Sequence, residues 1–104
     1  MDTLAPYLSV LKQAIAEYAK PPANGYAYFT ESPDGQLFTV VDVYQQQGTR
    51  QASTGLIVHL TPEHIVIERD MNNKPLVDAL VQRGIPRQRI ILAYAGEPLP
   101  ETSA

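Results

Sequence analysis

The stretch GLIVHLTPEHIVIERD, Gly55 to Asp70, decides the reading of the fold. Two alternating runs rich in β-branched residues flank Thr61-Pro62-Glu63. The pattern predicts strands over Arg50–Leu60 and His64–Arg69, folded back on each other about the proline turn. Pairing Leu60 with Ile65 sets Val58 against Ile67 and Leu56 against Arg69. One face is then aliphatic throughout, with Leu56, Val58, Leu60, Ile65 and Ile67. The other carries Ile57, His59, Val66 and Glu68, a mixture that suits neither a core nor open water. Such a face on a small domain fits a partner surface.

Upstream, turn chemistry spaces two more strands. Gly25–Thr30 is aromatic-rich (Tyr26, Tyr28, Phe29), as a pleated surface favours. Ser32-Pro33-Asp34-Gly35 is a tight turn, with proline presetting φ at its second position and glycine accepting positive φ at its end. Gln36–Gln45 follows, with Leu37, Val41 and Val43 on one face and Phe38, Val40 and Tyr44 on the other. Gln45-Gln46-Gln47-Gly48 is a polar hairpin loop. Ahead of all these, Leu4, Leu8, Leu11, Ile15 and Tyr18 recur at helical spacing, which predicts a helix over Thr3–Lys20. Thr3 caps it, Pro6 sits in its first turn, and Pro21-Pro22 ends it.

Downstream, a second helix is expected from Lys74 to Arg83. Asn72 or Asn73 would cap it, Pro75 would lie in its first turn, and Gly84 would take the left-handed position past its end. Arg89–Tyr94 reads as a short apolar strand, and the tail from Gly96, with Pro98 and Pro100, as frayed. The order is α-β-β-β-β-α-β. It implies one α+β domain over residues 1–104: an antiparallel meander sheet of four to five strands with two helices on one face.

The chain has 104 residues, eight Lys and Arg against eleven Asp and Glu, and a formal net charge of −3. That balance opposes a general phosphate-binding surface, which needs a cationic field, so direct nucleic-acid binding is not expected. The absence of cysteine removes disulfides, thiol nucleophiles and thiolate metal sites, and fits a reducing, cytoplasmic setting. Met1-Asp2-Thr3 lacks the basic start of a signal peptide, and no apolar run is long enough to span a bilayer, so no membrane role is expected.

Residues that carry chemistry do not assemble into a known site. His59 and His64 lie five apart across a turn with no third histidine, so no metal is expected. Glu68 and Asp70, two apart, are placed to point to one side of a strand end, but Asp70 better serves the turn Asp70-Met71-Asn72-Asn73 through side-chain to backbone bonds. No serine sits in a nucleophile elbow and no glycines form a phosphate loop. None of Lys12, Lys20 and Lys74 has an acidic residue two before it, as a restriction-type nuclease site requires. Arg83, Arg87 and Arg89 cluster around the end of the second helix. There they complement the helix dipole or meet an acidic protein partner.

Gly55–Leu60, His64–Asp70, Leu76–Pro86 and Ile90–Leu92, with the spacing of Tyr7 to Tyr18, resemble the XisI family, the fdxN element excision controlling factors of cyanobacteria. The likeness is strongest from Thr54 to Tyr94. It departs at Val66, where the family carries Trp, at Asn73-Lys74-Pro75 and in the tail after Ala93. The resemblance implies a role in programmed DNA excision, beside a XisH-like protein of endonuclease fold and a separate recombinase. The expectation is therefore a non-enzymatic controlling factor without catalytic residues or cofactor; because a domain this small with one helix-covered face must hide the other, a homodimer through the sheet is also expected. It would act through protein contacts with the XisH-like partner, using Ile57, His59, Val66 and Glu68 or the Arg83-Arg87-Arg89 corner. A DNA-binding architectural factor and an antitoxin-like neutraliser of a nuclease are the alternatives.

Overall fold

A computed structural model describes residues 4–21 and 23–99. Thr3, Pro22, Pro100 and the final residues, on which the first cap, part of the first helix stop and the end of the tail rest, lie outside them. A 3₁₀ turn over Ala5–Tyr7, with Pro6 near its start, leads into helix α1, Leu8–Glu17. Strands β1 (Gly25–Glu31), β2 (Leu37–Gln46), β3 (Thr49–Leu60) and β4 (Ile65–Asp70) follow, then helix α2 (Leu76–Gln82) and strand β5 (Ile90–Leu92). The sheet order is β1-β2-β3-β4-β5. The first four strands form the expected antiparallel meander, and the α+β class stands. The fifth joins β4 in parallel, because α2 carries the chain back to the starting end of β4.

Both helices pack on one face of the sheet. Leu11 and Ile15 of α1 and Leu76 and Leu80 of α2 close over Phe38, Val40, Leu56, Val58, Ile65, Ile67 and Ile90, all buried. These are the inward positions of the strands, as the alternation demands. Among the described residues no helix is long and apolar enough to cross a membrane.

The turns show why the chain folds back where it does. Gly35 takes φ +71° and donates to Ser32 O at 2.9 Å, and the Ser32 hydroxyl accepts from the Gln36 and Leu37 amides. Asp34 also accepts from the Ser32 hydroxyl and the Gln36 amide, and these bonds hold its carboxyl below the usual range. The next hairpin is tighter than the expected four-residue loop. Gln46 pairs with Thr49, and Gln47 and Gly48 both have positive φ (52° and 78°), the signature of a type I′ turn. Past α2, Gly84 at φ +96° ends the helix in a Schellman motif, with Ile85 N–H on Leu80 O and Gly84 N–H on Val81 O.

Two β-bulges adjust the register. Between Val40/Leu56 and Val41/Thr54 the pairing slips by one, which leaves Gly55 as the extra residue of β3. Between Val58/Ile67 and Ile57/Arg69 it slips again, leaving Glu68 as the extra residue of β4. Leu56 therefore pairs with Asp70, not Arg69, which corrects the expected register at that end. The second slip also separates Glu68 from Asp70, which do not share a side as expected. Asp70 turns toward α2, where Oδ2 accepts from Leu76 N–H at 2.7 Å and Oδ1 from Asn72 N–H at 3.0 Å. Asp70 thus fills the capping role expected of Asn72 or Asn73; no side chain caps α2 from its own N-cap position, Pro75.

Candidate partner-binding surface

The sheet face away from the helices carries no helix and is open along β1 and β2, while Val66 and Ile91 at its β4–β5 end are buried. Strand alternation places Tyr26 and Tyr28 (β1), Leu37, Val41 and Val43 (β2), Ile57 and His59 (β3), Val66 (β4) and Ile91 (β5) on it. Tyr26 and Tyr28 are 58% and 52% exposed and stack with ring centroids 6.3 Å apart. Leu37 is also exposed, while Val41, Val43 and Ile57 are half-buried. At the β4 end His59 Nε2 meets Glu68 Oε2 at 3.5 Å, so the bulged Glu68 returns to this face as the partner of His59. His59 Nδ1 is buried with no hydrogen-bond partner. An uncompensated polar atom of this kind costs about 1–3 kcal/mol, which the surrounding packing offsets.

Three of the four sheet residues singled out from the sequence, Ile57, His59 and Glu68, thus form one contiguous surface. Val66 lies on the same face but is fully buried and offers a partner no contact area. Tyr26, Tyr28, Leu37, Val41 and Val43 extend it. The sequence did carry the signal for Leu37, Val41 and Val43, which share a strand face, but joining that face to Ile57 requires the slip at Gly55.

The arginine corner disperses. Arg83 pairs with Glu17 at the end of α1, Arg87 Nη2 with Glu97 Oε2 at 2.8 Å, and Arg89 with Glu63 in the β3–β4 turn. Each guanidinium faces its own carboxylate in a different part of the chain. These pairs tie α1 to α2, the segment after β5 to the sheet, and the β3–β4 turn to β5. They leave no common cationic patch. Glu97, expected in the frayed tail, is fixed instead: Oε1 accepts from Leu92 N–H at 2.9 Å, and this bond with the Arg87 bond holds its carboxyl below the usual range.

A cleft of ≈ 340 Å³ opens on the helix side beyond Leu56, lined by Tyr18, Asp42, Gly55 and Asn72 among others. Burial pushes the Asp42 carboxyl up, and the lining holds that one carboxylate, Lys20 and no histidine. Among the described residues no three His, Asp or Glu side chains converge as metal ligands would.

A family model described as XisI protein matches residues 1–102. Among solved structures, a XisI-like protein from Anabaena variabilis ATCC 29413 superposes with a TM-score of 0.74 at 17% identity, over 86% of this chain and 84% of that one. The fdxN element excision controlling factor XisI from the same organism superposes with a TM-score of 0.70 at 20% identity, over 89% and 93%. At these identities the likeness is one of fold. No curated protein matches the chain.

Proposed function

The chain belongs to the XisI family, and on that premise we propose that it is a controlling factor of DNA element excision that makes no covalent chemistry of its own. It acts through protein contacts, and its partner is a XisH-like protein of nuclease fold. The observation that carries this reading is the helix-free sheet face, where Ile57 and the His59–Glu68 pair sit beside exposed aromatic and aliphatic side chains. The name of the Anabaena relative, a controlling factor of element excision, supports the biological setting. The arginines support contact with protein over contact with DNA, because each already faces a carboxylate and the chain carries a net charge of −3.

The test is co-purification of the tagged chain with a XisH-like protein, followed by light scattering for the mass of the complex. The wild type is expected to retain the partner. Ile57→Glu combined with Glu68→Arg is expected to lose it while the circular dichroism of the chain stays unchanged. Retention by that double variant refutes the surface assignment, and salt-sensitive binding of the chain alone to duplex DNA refutes the protein-contact reading.

A further inference from the structure

We infer that β1 is a self-pairing edge: two copies of the chain join through it, antiparallel and two-fold symmetric, into one ten-stranded sheet. This goes beyond the partner contact proposed above: it uses the backbone edge of β1, whose Tyr26 and Tyr28 also border that surface.

The inference starts from which backbone groups β1 leaves unpaired. Ser32 N–H donates to Leu37 O and Gln45 N–H to Asn24 O, so the even-numbered residues of this segment turn their N–H and C=O toward β2. By alternation Gly25, Ala27, Phe29 and Glu31 turn theirs the other way, off the sheet. Among the described residues no further strand lies beyond β1, and no hydrogen bond from another of them reaches the amides or carbonyls of Ala27 and Phe29. The usual protections of an exposed edge are missing as well. Over seven residues β1 holds no proline and no lysine, and it pairs with β2 without a bulge.

A second copy of β1 fits this edge. Antiparallel pairing centred on Tyr28 lets all seven residues overlap: Ala27 bonds Phe29 of the other copy twice over, and Gly25 lies opposite Glu31. Gly25–Thr30 carries no charge, and the only acid, Glu31, already has Lys12 Nζ at 3.4 Å, so no like charges meet. On the uncovered face the two Tyr28 rings come side by side with Tyr26 beyond each, which continues the stacked pair seen in one chain. A partner of different sequence would have to match this uncharged aromatic register; a second copy does so by symmetry.

Ala27→Pro tests the edge without touching the fold. The Ala27 amide faces off the sheet, so proline removes no bond to β2, and edge strands tolerate it. The wild type is expected at twice the chain mass by sedimentation velocity, with the Ala27 and Phe29 amides protected from hydrogen exchange. Ala27→Pro is expected to raise the dimer dissociation constant roughly tenfold or more. Tyr28→Lys and Tyr28→Glu supply a second test that does not depend on proline. Each alone is expected to run as a single chain, and the two mixed are expected to form a one-to-one pair. Wild-type protein that keeps the mass of one chain throughout a concentration series overturns the inference. So does a dimer that withstands Ala27→Pro, or Tyr28 charge variants that dimerise equally well alone and mixed.

Discussion

The two ends of this sheet are built to opposite rules. At β5, every backbone group of Ile90 and Leu92 that turns away from β4 has an internal partner. Ile90 N–H bonds Arg87 O, and Ile90 O accepts from Arg87 Nη1 at 2.8 Å. Leu92 N–H bonds Glu97 Oε1, and Leu92 O accepts from the Glu97 amide. The Arg87–Glu97 ion pair then locks the two clasps together. At β1 the corresponding groups of Ala27 and Phe29 face outward without such cover. A three-residue strand has been closed and a seven-residue strand left open. Length alone would give the shorter strand less need of cover, so edge protection in this molecule is selective.

Truncations at the two edges give the sharpest contrast. Ile90 is buried between β4 and α2, so Ile90→Ala should cost about 2–5 kcal/mol in urea unfolding. Tyr28→Ala, made in an Ala27→Pro monomer to remove any effect of association, should stay within about 0.5 kcal/mol. Equal losses would erase the distinction between the two ends. Asp70→Ala strikes the connection that delivers β5 to its place. It frees the Leu76 and Asn72 amides and should lower stability by about 1–2 kcal/mol, with Asp70→Asn recovering part of it. Arg87→Ala unlocks the clasp and should cost about 1 kcal/mol at this half-exposed position, with faster exchange of the Leu92 amide as the local readout.

Acid should open the same clasp. Hydrogen bonds from Leu92 and Arg87 lower the Glu97 carboxyl in the folded chain, so the folded value lies below the unfolded one. Its contribution is therefore complete above the ordinary carboxylate range and is lost as pH falls through the depressed folded value. Wild type should melt above Glu97→Gln at neutral pH, and the gap should close as the solution is acidified; a constant gap contradicts the assignment. The smallest expected change lies far from both edges. Gln47→Asn gives the type I′ turn a residue that tolerates positive φ and should add about 0.5 kcal/mol, with no change in the mass of the assembly.

How much of this was legible in the residues divides along local and non-local lines. The helix stripe, the Ser32–Gly35 turn and the Gly84 stop rest on neighbours within a few positions; the turn and the stop stand where the spacing puts them, while the helix expected over Thr3–Lys20 is α-helical only over Leu8–Glu17, after a 3₁₀ turn. The parity of the strands is harder. Counting back from Gln47-Gly48 without interruption pairs Phe38 with Ile57 and sends Ile57 into the core. Gly55 absorbs one residue and restores Phe38 to Val58. A lone glycine inside a strand pattern is the visible trace of that correction. Glu68 leaves no such trace, because a charged residue at a strand end looks the same with or without a bulge. The clasp on β5 was out of reach for a further reason. Arg87 and Glu97 are ten residues apart and meet because the 3₁₀ turn Ala93–Ala95 and Gly96 at φ +90° fold the chain back on Leu92, so a cluster of arginines in the chain becomes three separate ion pairs in space.

The clasp also limits how large an assembly can grow. A chain with two open edges could add neighbours at both, and the product would be a ribbon without a defined end. Pairing at β1 as proposed above would use up the open edge of each copy and leave a β5 at either extreme, each already shut by Arg87 and Glu97. The stopping point of assembly is thus set by two side chains at the far side of the sheet from the contact they restrict.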